Sequence, residues 1–250
     1  MARTLLDAAI LLDVLAGLSV GKPHWAPRPP RRFVEAVTTK PRRLRIRLSS
    51  EHSLGSTHPE IAKAVRETAA KLEHLGHSIT EAPWVQTPLE EFLPLWQFAI
   101  GHAPLLNLKR VQPITRWLGE AGRKLTPAFM KRRHQDLEDM ILAWFGDADV
   151  WLSPTVSVPA PRLGLARQPN KTPEELFREA AALGAFTAPF NITGQPAISM
   201  PIGLTSDGIP LGIQLGGKMF DEETLIELAG ELEREQPFAH RRPEAFFPAA

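Results

Sequence analysis

The stretch "RLRIRLSS" (43–50) restricts this chain more than any other. Leu44, Ile46 and Leu48 alternate with Arg43, Arg45 and Arg47, the two-residue period of a strand with one covered face. Pro59 then opens a helical pattern carrying Ile61, Val65, Leu72 and Leu75, and Gly76 closes it. "HSITEA" (77–82) is a second strand. Strand, helix and strand with short joints demand a parallel pair with a right-handed crossover. A purely antiparallel or all-helical fold is thereby excluded.

The remaining elements fit around that unit. Thr4 and Asp7 form a capping box, and Leu5, Ala8, Ala9, Leu12, Leu15 and Ala16 make one stripe of a helix ending at Gly17. Asp7 and Asp13 inside this apolar run argue against a signal peptide or membrane span. Residues 21–42, rich in Pro and Arg, read as an extended surface connector. From 89 to 146 the chain is helical, with Pro94, Pro104, Pro113 and Pro127 expected to break it. "DVWLSPTVSVPAP" (149–161) is a buried strand entering a proline-rich loop, and 173–184 a short helix. "AISMPIGLTSDGIPLGIQLGG" (197–217) is an antiparallel hairpin around Ser-Asp-Gly. Asp221–Glu235 is a helix with Leu225, Leu228, Ala229 and Leu232 inward and its acids outward. The expected fold class is α/β, one domain over 1–250 with a mixed sheet covered by helices on both faces.

Composition removes several functions. Net charge is +1 and cysteine is absent, which excludes disulfides and thiolate metal sites and suits the cytoplasm. Eight basic residues between Arg28 and Arg47 face only Glu35, with one aromatic, Phe33, among them. Without interleaved stacking residues they read as a solvated face rather than a nucleic-acid surface. No nucleic-acid or membrane partner is expected. His74 and His77 are separated by Gly76 and have no acidic third ligand at metal spacing, so they read as a surface pair. "GGK" at 216–218 closes a strand and lacks the rest of a phosphate loop. No metal or cofactor site is expected.

Between the last helices lies "TAPFNITGQPAISMPIG" (187–203). Gly194 suits a positive φ, Pro189 and Pro196 stiffen the chain around it, and Asn191 and Thr193 can bond their own backbone. Turn chemistry alone accounts for this as a loop positioning a strand.

The block from Phe186 to Glu233, with "MARTLLDAAILLDVLAG" (1–17), the unit ending "GHSITEAP" and "DADVWLSPTVSVPAPRLG" (147–164), resembles the C-terminal part of amidase-signature hydrolases. The match runs in order over nearly the whole chain and is weakest over 85–146. That resemblance implies hydrolysis of a carboxamide C–N bond in a small-molecule amide. It also implies that 187–203 packs near the catalytic loop, making Thr187, Asn191 and Gln195 substrate-binding candidates, with 85–146 a variable helical insertion shaping the pocket. Family chemistry needs a serine nucleophile, a bridging serine, a lysine base and oxyanion donors. Their Gly/Ser-rich stretch has no counterpart here, so no catalytic residue is assigned. The chain is expected to be inactive alone. Gly184 stands where glutamine-using transamidases carry an acid, which disfavours that branch.

Two alternatives stay open. The chain is a non-catalytic binding or regulatory subunit that pairs with a separate N-terminal half, or associates with itself through exposed core. Otherwise it is an independent hydrolase using Ser50 and His52, which follow a parallel strand, although no orienting third group is identifiable.

Overall fold

A computed structural model describes residues 1–17, 26–27, 29–84, 87–104, 110–164, 168 and 170–241. Strands β1 (Arg45–Leu48) and β2 (Ser78–Glu81) flank helix α3 (Pro59–His74) and pair in parallel, Ile46 opposite Ile79. On its other side β1 pairs in parallel with β3 (Val150–Pro154). The hairpin of β4 (Ala197–Leu204) and β5 (Pro210–Gly217) completes the sheet antiparallel, giving the order β2-β1-β3-β5-β4. The sheet is therefore mixed, as the strand–helix–strand unit and hairpin require.

Side-chain alternation along β3 separates two cores. Val150 and Leu152 join Leu44, Ile46, Leu48, Ile213 and Leu215 on one face. This face lies under α1 (Leu5–Leu15), α2 (Phe33–Ala36), α3 and α9 (Glu222–Glu235). Trp151 joins Phe92, Leu137, Ile141, Phe145 and Ile192 on the other face, beneath α4 (Leu89–Gly101), α6 (Pro127–Phe145) and α8 (Ala188–Thr193). Helices α5 (Pro113–Gly122) and α7 (Pro173–Leu183) extend that second layer.

Several local expectations change. Phe33 and Ala36 are buried on α2, so part of the supposed connector is folded core; residues 18–25 and 28 lie outside the described residues. Pro94 sits inside α4 without ending it. Proline removes one interior hydrogen bond, and the buried Leu89 and Phe92 on the same helix carry the element through. Pro113 and Pro127 do start helices, where the missing N–H costs nothing. Residues 188–193 are helix rather than loop: Pro189 occupies the first turn, and Gly194 caps the end at φ +71°.

Two charged features also differ. His77 is not a surface residue; it is 4 % exposed, its Nδ1 accepts from the Leu44 N–H at 3.2 Å, and its Nε2 lies 2.8 Å from Glu231 Oε2. Glu231 is accordingly an acid on the inner side of α9. The basic run is paired rather than merely solvated: Arg31 bonds Glu223 and Glu227, Arg42 bonds Asp149, and Arg45 bonds Asp147. Burial pushes the Asp149 carboxyl up. Bonds from Arg42, Lys218 and the Arg45 N–H outweigh it and hold the carboxyl well below the usual carboxylate range.

Helix α1 has its expected Thr4–Asp7 capping box, and Leu5 and Ala9 are buried. Besides the exposed Asp7, its outer surface carries large apolar side chains: Leu6, Ile10, Leu11, Val14 and Leu15 are 45–76 % exposed. Among the described residues no helix is long and apolar enough to cross a membrane.

Candidate functional site

The carboxyl end of β1 is where an open α/β sheet offers a crevice to ligands. Beyond Leu48, the Ser49 N–H continues the ladder by donating to Leu152 O at 3.0 Å. The chain then turns back, and Ser53 Oγ donates to Thr87 O at 2.5 Å, tying this turn to the segment that starts α4. A cavity of about 180 Å³ lies beside the turn. Its walls come from His52 to Leu54, Trp84, one side of α4, one side of α7, and Ala185 and Ala188.

Each wall is held from behind. Trp84 stacks on the fully buried Trp151 of β3, with ring centroids 4.7 Å apart and planes at 9°. Trp144 meets Trp84 edge-on at 4.8 Å, and its Nε1 donates to Pro83 O at 2.9 Å. Phe177 of α7 approaches Trp96 of α4 at 6.2 Å and Trp117 of α5 at 5.9 Å. Helix α7 is anchored at its start by a Thr172–Glu175 capping box and near its end by Ser157 Oγ donating to Ala182 O at 2.9 Å. The result is an aromatic chamber with pre-set walls.

His52 is its polar element. The ring is 6 % exposed and meets Phe186 edge-on at 5.2 Å. Nδ1 accepts from the Leu54 N–H at 3.0 Å, so that nitrogen carries its lone pair and the ring proton sits on Nε2. Burial lowers the His52 pKa, with Glu51 partly opposing, and the ring stays neutral. Nε2 is buried and has no hydrogen-bond partner among the described residues. Ser50, also buried, accepts at Oγ from Arg66 Nη1 at 3.4 Å. Ser50 and His52 thus form no hydrogen-bonded pair, and the nucleophile–base arrangement of the independent-hydrolase alternative is missing.

The three substrate-binding candidates lie along and beside α8 and do not line this cavity. Thr187 Oγ1 donates to Gly184 O at 3.2 Å, and its neighbours Ala185 and Ala188 do line it. Asn191 is exposed. Gln195 is buried, with Nε2 donating to Gly217 O at 2.8 Å, which closes the end of β5. Sequence reasoning overlooked Trp84, Phe92, Trp96 and Phe177. The signal available was Phe92 and Trp96 at helical i, i+4 spacing. Among the described residues no group of three His, Asp or Glu side chains is placed to hold a metal.

The family model for amidases matches residues 1–226. The chain belongs to the amidase family. It is 31 % identical over 240 residues to a putative amidase of Synechocystis, covering 94 % of this chain and 46 % of that protein. It is 30 % identical over 272 residues to the 6-aminohexanoate-cyclic-dimer hydrolase of a Pseudomonas species, covering 99 % and 55 %. The solved structure of a 6-aminohexanoate cyclic dimer hydrolase superimposes with a TM-score of 0.85 at 28 % identity, over 98 % of this chain and 56 % of that one. A bacterial aryl acylamidase shares the fold, with a TM-score of 0.77 at 18 % identity. This member of the amidase family spans about half the length of the curated relatives it matches.

Proposed function

We propose that these residues are the C-terminal part of an amidase, supplying the sheet and one wall of a chamber in which a carboxamide is hydrolysed to acid and amine. One observation carries this reading: a family match over residues 1–226 by a chain that spans about half of its relatives. The attacking serine and its base belong to the other half, and the chain is inactive without it. Thr187 and Asn191 border the substrate funnel once that half is present, Gln195 supports it from behind through its bond to Gly217 O, and 85–146 shapes the pocket. The absence of cysteine supports a reducing, cytoplasmic setting.

A specific feature favours partnership. Contiguous exposed apolar side chains mark interaction sites, and α1 is buried on one side while showing Leu6, Ile10 and Val14 on the other. Strand β4 pairs with β5 alone among the described residues, and an eight-residue edge is a template for further strand pairing. The occupant of this face is the N-terminal half of the family fold, over an obligate-type interface of roughly 2,000 Å² or more.

The test is amide hydrolysis by the purified chain, alone and after co-expression with the first half of the Pseudomonas relative. Activity in the pair and none in the isolated chain is expected. Enzyme-like turnover by the chain alone overturns the reading, and its loss in Ser50→Ala would point to the independent hydrolase instead.

A further inference from the structure

Which backbone groups of the β4 edge are free follows from one bond. The Gly217 N–H donates to Pro196 O at 2.9 Å, so that carbonyl points toward β5. Along an antiparallel ladder each residue aims its N–H and C=O to one side, and the sides alternate. Ile198 and Met200 therefore face β5, while Ala197, Ser199 and Pro201 direct their groups outward, and all three are exposed. Natural edges are kept apart by charges, bulges or prolines. Residues 197–204 hold no charged side chain, and the bulge lies beyond Pro201. Pro201 itself removes one outward donor and leaves those of Ala197 and Ser199 in place. A groove lined by Pro196, Ala197 and Ile198 runs between this edge, α1 and α9, and the exposed stripe of α1 borders it.

We infer that, when no N-terminal half is bound, this seam closes on a second copy of the chain, the two β4 edges lying antiparallel about a two-fold axis at Ser199. A closed pair sets a segment against itself in just this sense, and the two five-stranded sheets become one. Each Ser199 N–H then donates to the Ser199 C=O of the other copy, and each Ala197 N–H to the Pro201 C=O opposite it. Every outward donor of 197–201 is used, and the missing proline donor leaves only the Ala197 C=O to water. Like charges directly opposite one another would oppose such pairing, and β4 has none. Edge, groove and α1 stripe together bring about 18 residues to the seam, against roughly 20–30 a side in a standard interface. The pairing rests on the geometry of the edge alone. Its meaning, a resting state that the N-terminal half displaces, rests on the proposed amidase reading.

Sedimentation of the purified 250-residue chain at micromolar concentration is expected to give twice the 27.7 kDa monomer mass. Ser199→Pro removes an outward donor and no bond to β5, as Pro201 already does, and is expected to return the monomer. Because the chain has no cysteine, Ser199→Cys introduces a single thiol. Opposed residues of a hydrogen-bonded antiparallel pair have Cα atoms about 5.5 Å apart, within the roughly 4.4–6.8 Å that a disulfide spans. Mild oxidation of Ser199→Cys should therefore give a covalent dimer on a non-reducing gel. A monomer of the unaltered chain, open-ended aggregates without a defined mass, or a dimer that Ser199→Cys fails to cross-link overturns the inference, and none of these results depends on Ser199→Pro folding. All are read without turnover, so their failure leaves the amidase reading standing. Failure of hydrolysis in the reconstituted pair leaves the two-fold dimer standing.

Discussion

Asp149 offers the sharpest test of how this sheet is held. Its side chain is 2 % exposed and is ringed by cations. Arg42 reaches both oxygens at 3.0 and 3.2 Å, Lys218 Nζ lies at 2.7 Å, and the Arg45 N–H donates at 2.9 Å. It therefore joins the start of β1, the start of β3 and the residue after β5. Removing one partner of a buried ion pair typically costs about 3–5 kcal/mol. Here Arg42 and Lys218 are 60 % and 41 % exposed and regain water readily, so the low end applies. The Arg45 N–H then loses its acceptor, which by itself is worth about 1–3 kcal/mol.

Asp149→Ala is thus expected to lose about 3 kcal/mol at pH 7, and Asp149→Asn, which keeps an oxygen for the Arg45 N–H, about 1–2 kcal/mol. The carboxyl is depressed in the folded chain, so its stabilisation is fully present above the unfolded value of about 3.9. It is lost as pH falls from there through the folded value, because the unfolded state then binds more protons. Urea unfolding from pH 7 down to pH 2 should show the gap between the wild-type chain and Asp149→Asn closing. A gap that stays constant with pH would refute the electrostatic argument.

Three further outcomes are expected. A Cβ on Gly122 would come within 1.7 Å of Gln97 O, so Gly122→Ala forces α4 and α5 apart and costs about 1–3 kcal/mol in the same unfolding assay; a neutral result would mean that these helices do not cross at this contact. Glu231→Leu orphans the His77 Nε2–H and should cost about 2 kcal/mol, whereas Glu231→Gln, which still accepts, should cost under about 1 kcal/mol; equal losses would place the proton on Nδ1. Ile10→Glu with Val14→Glu on the exposed side of α1 should abolish activity of the co-expressed halves while leaving the chain's circular dichroism unchanged, and retained activity would move the seam elsewhere.

Sequence reasoning reached the sheet because its signals are local. The Arg/Leu/Ile alternation over 43–48, the Pro59 start, the Gly76 stop and the Ser-Asp-Gly turn each act within a few residues, and every one of them holds in the structure. What stayed hidden depends on partners far along the chain. His77 meets Glu231 across 154 positions, and nothing near either residue announces the other. The 188–193 segment reads as loop because its turn-forming residues are equally good helix ends, and only docking against α6 decides between them. The cavity was illegible for the same reason: Trp84, Trp96 and Phe177 look like ordinary core until α4 and α7 are set side by side.

That all the described walls of the chamber come from residues 52–188 has an evolutionary reading. On the reading proposed above, recognition and reactivity would be inherited on separate stretches of polypeptide. Changes at Trp96, Phe177 or Ala181 would then alter the shape of the chamber without touching an attacking group carried elsewhere. A lineage could acquire new substrates by drift in this stretch alone.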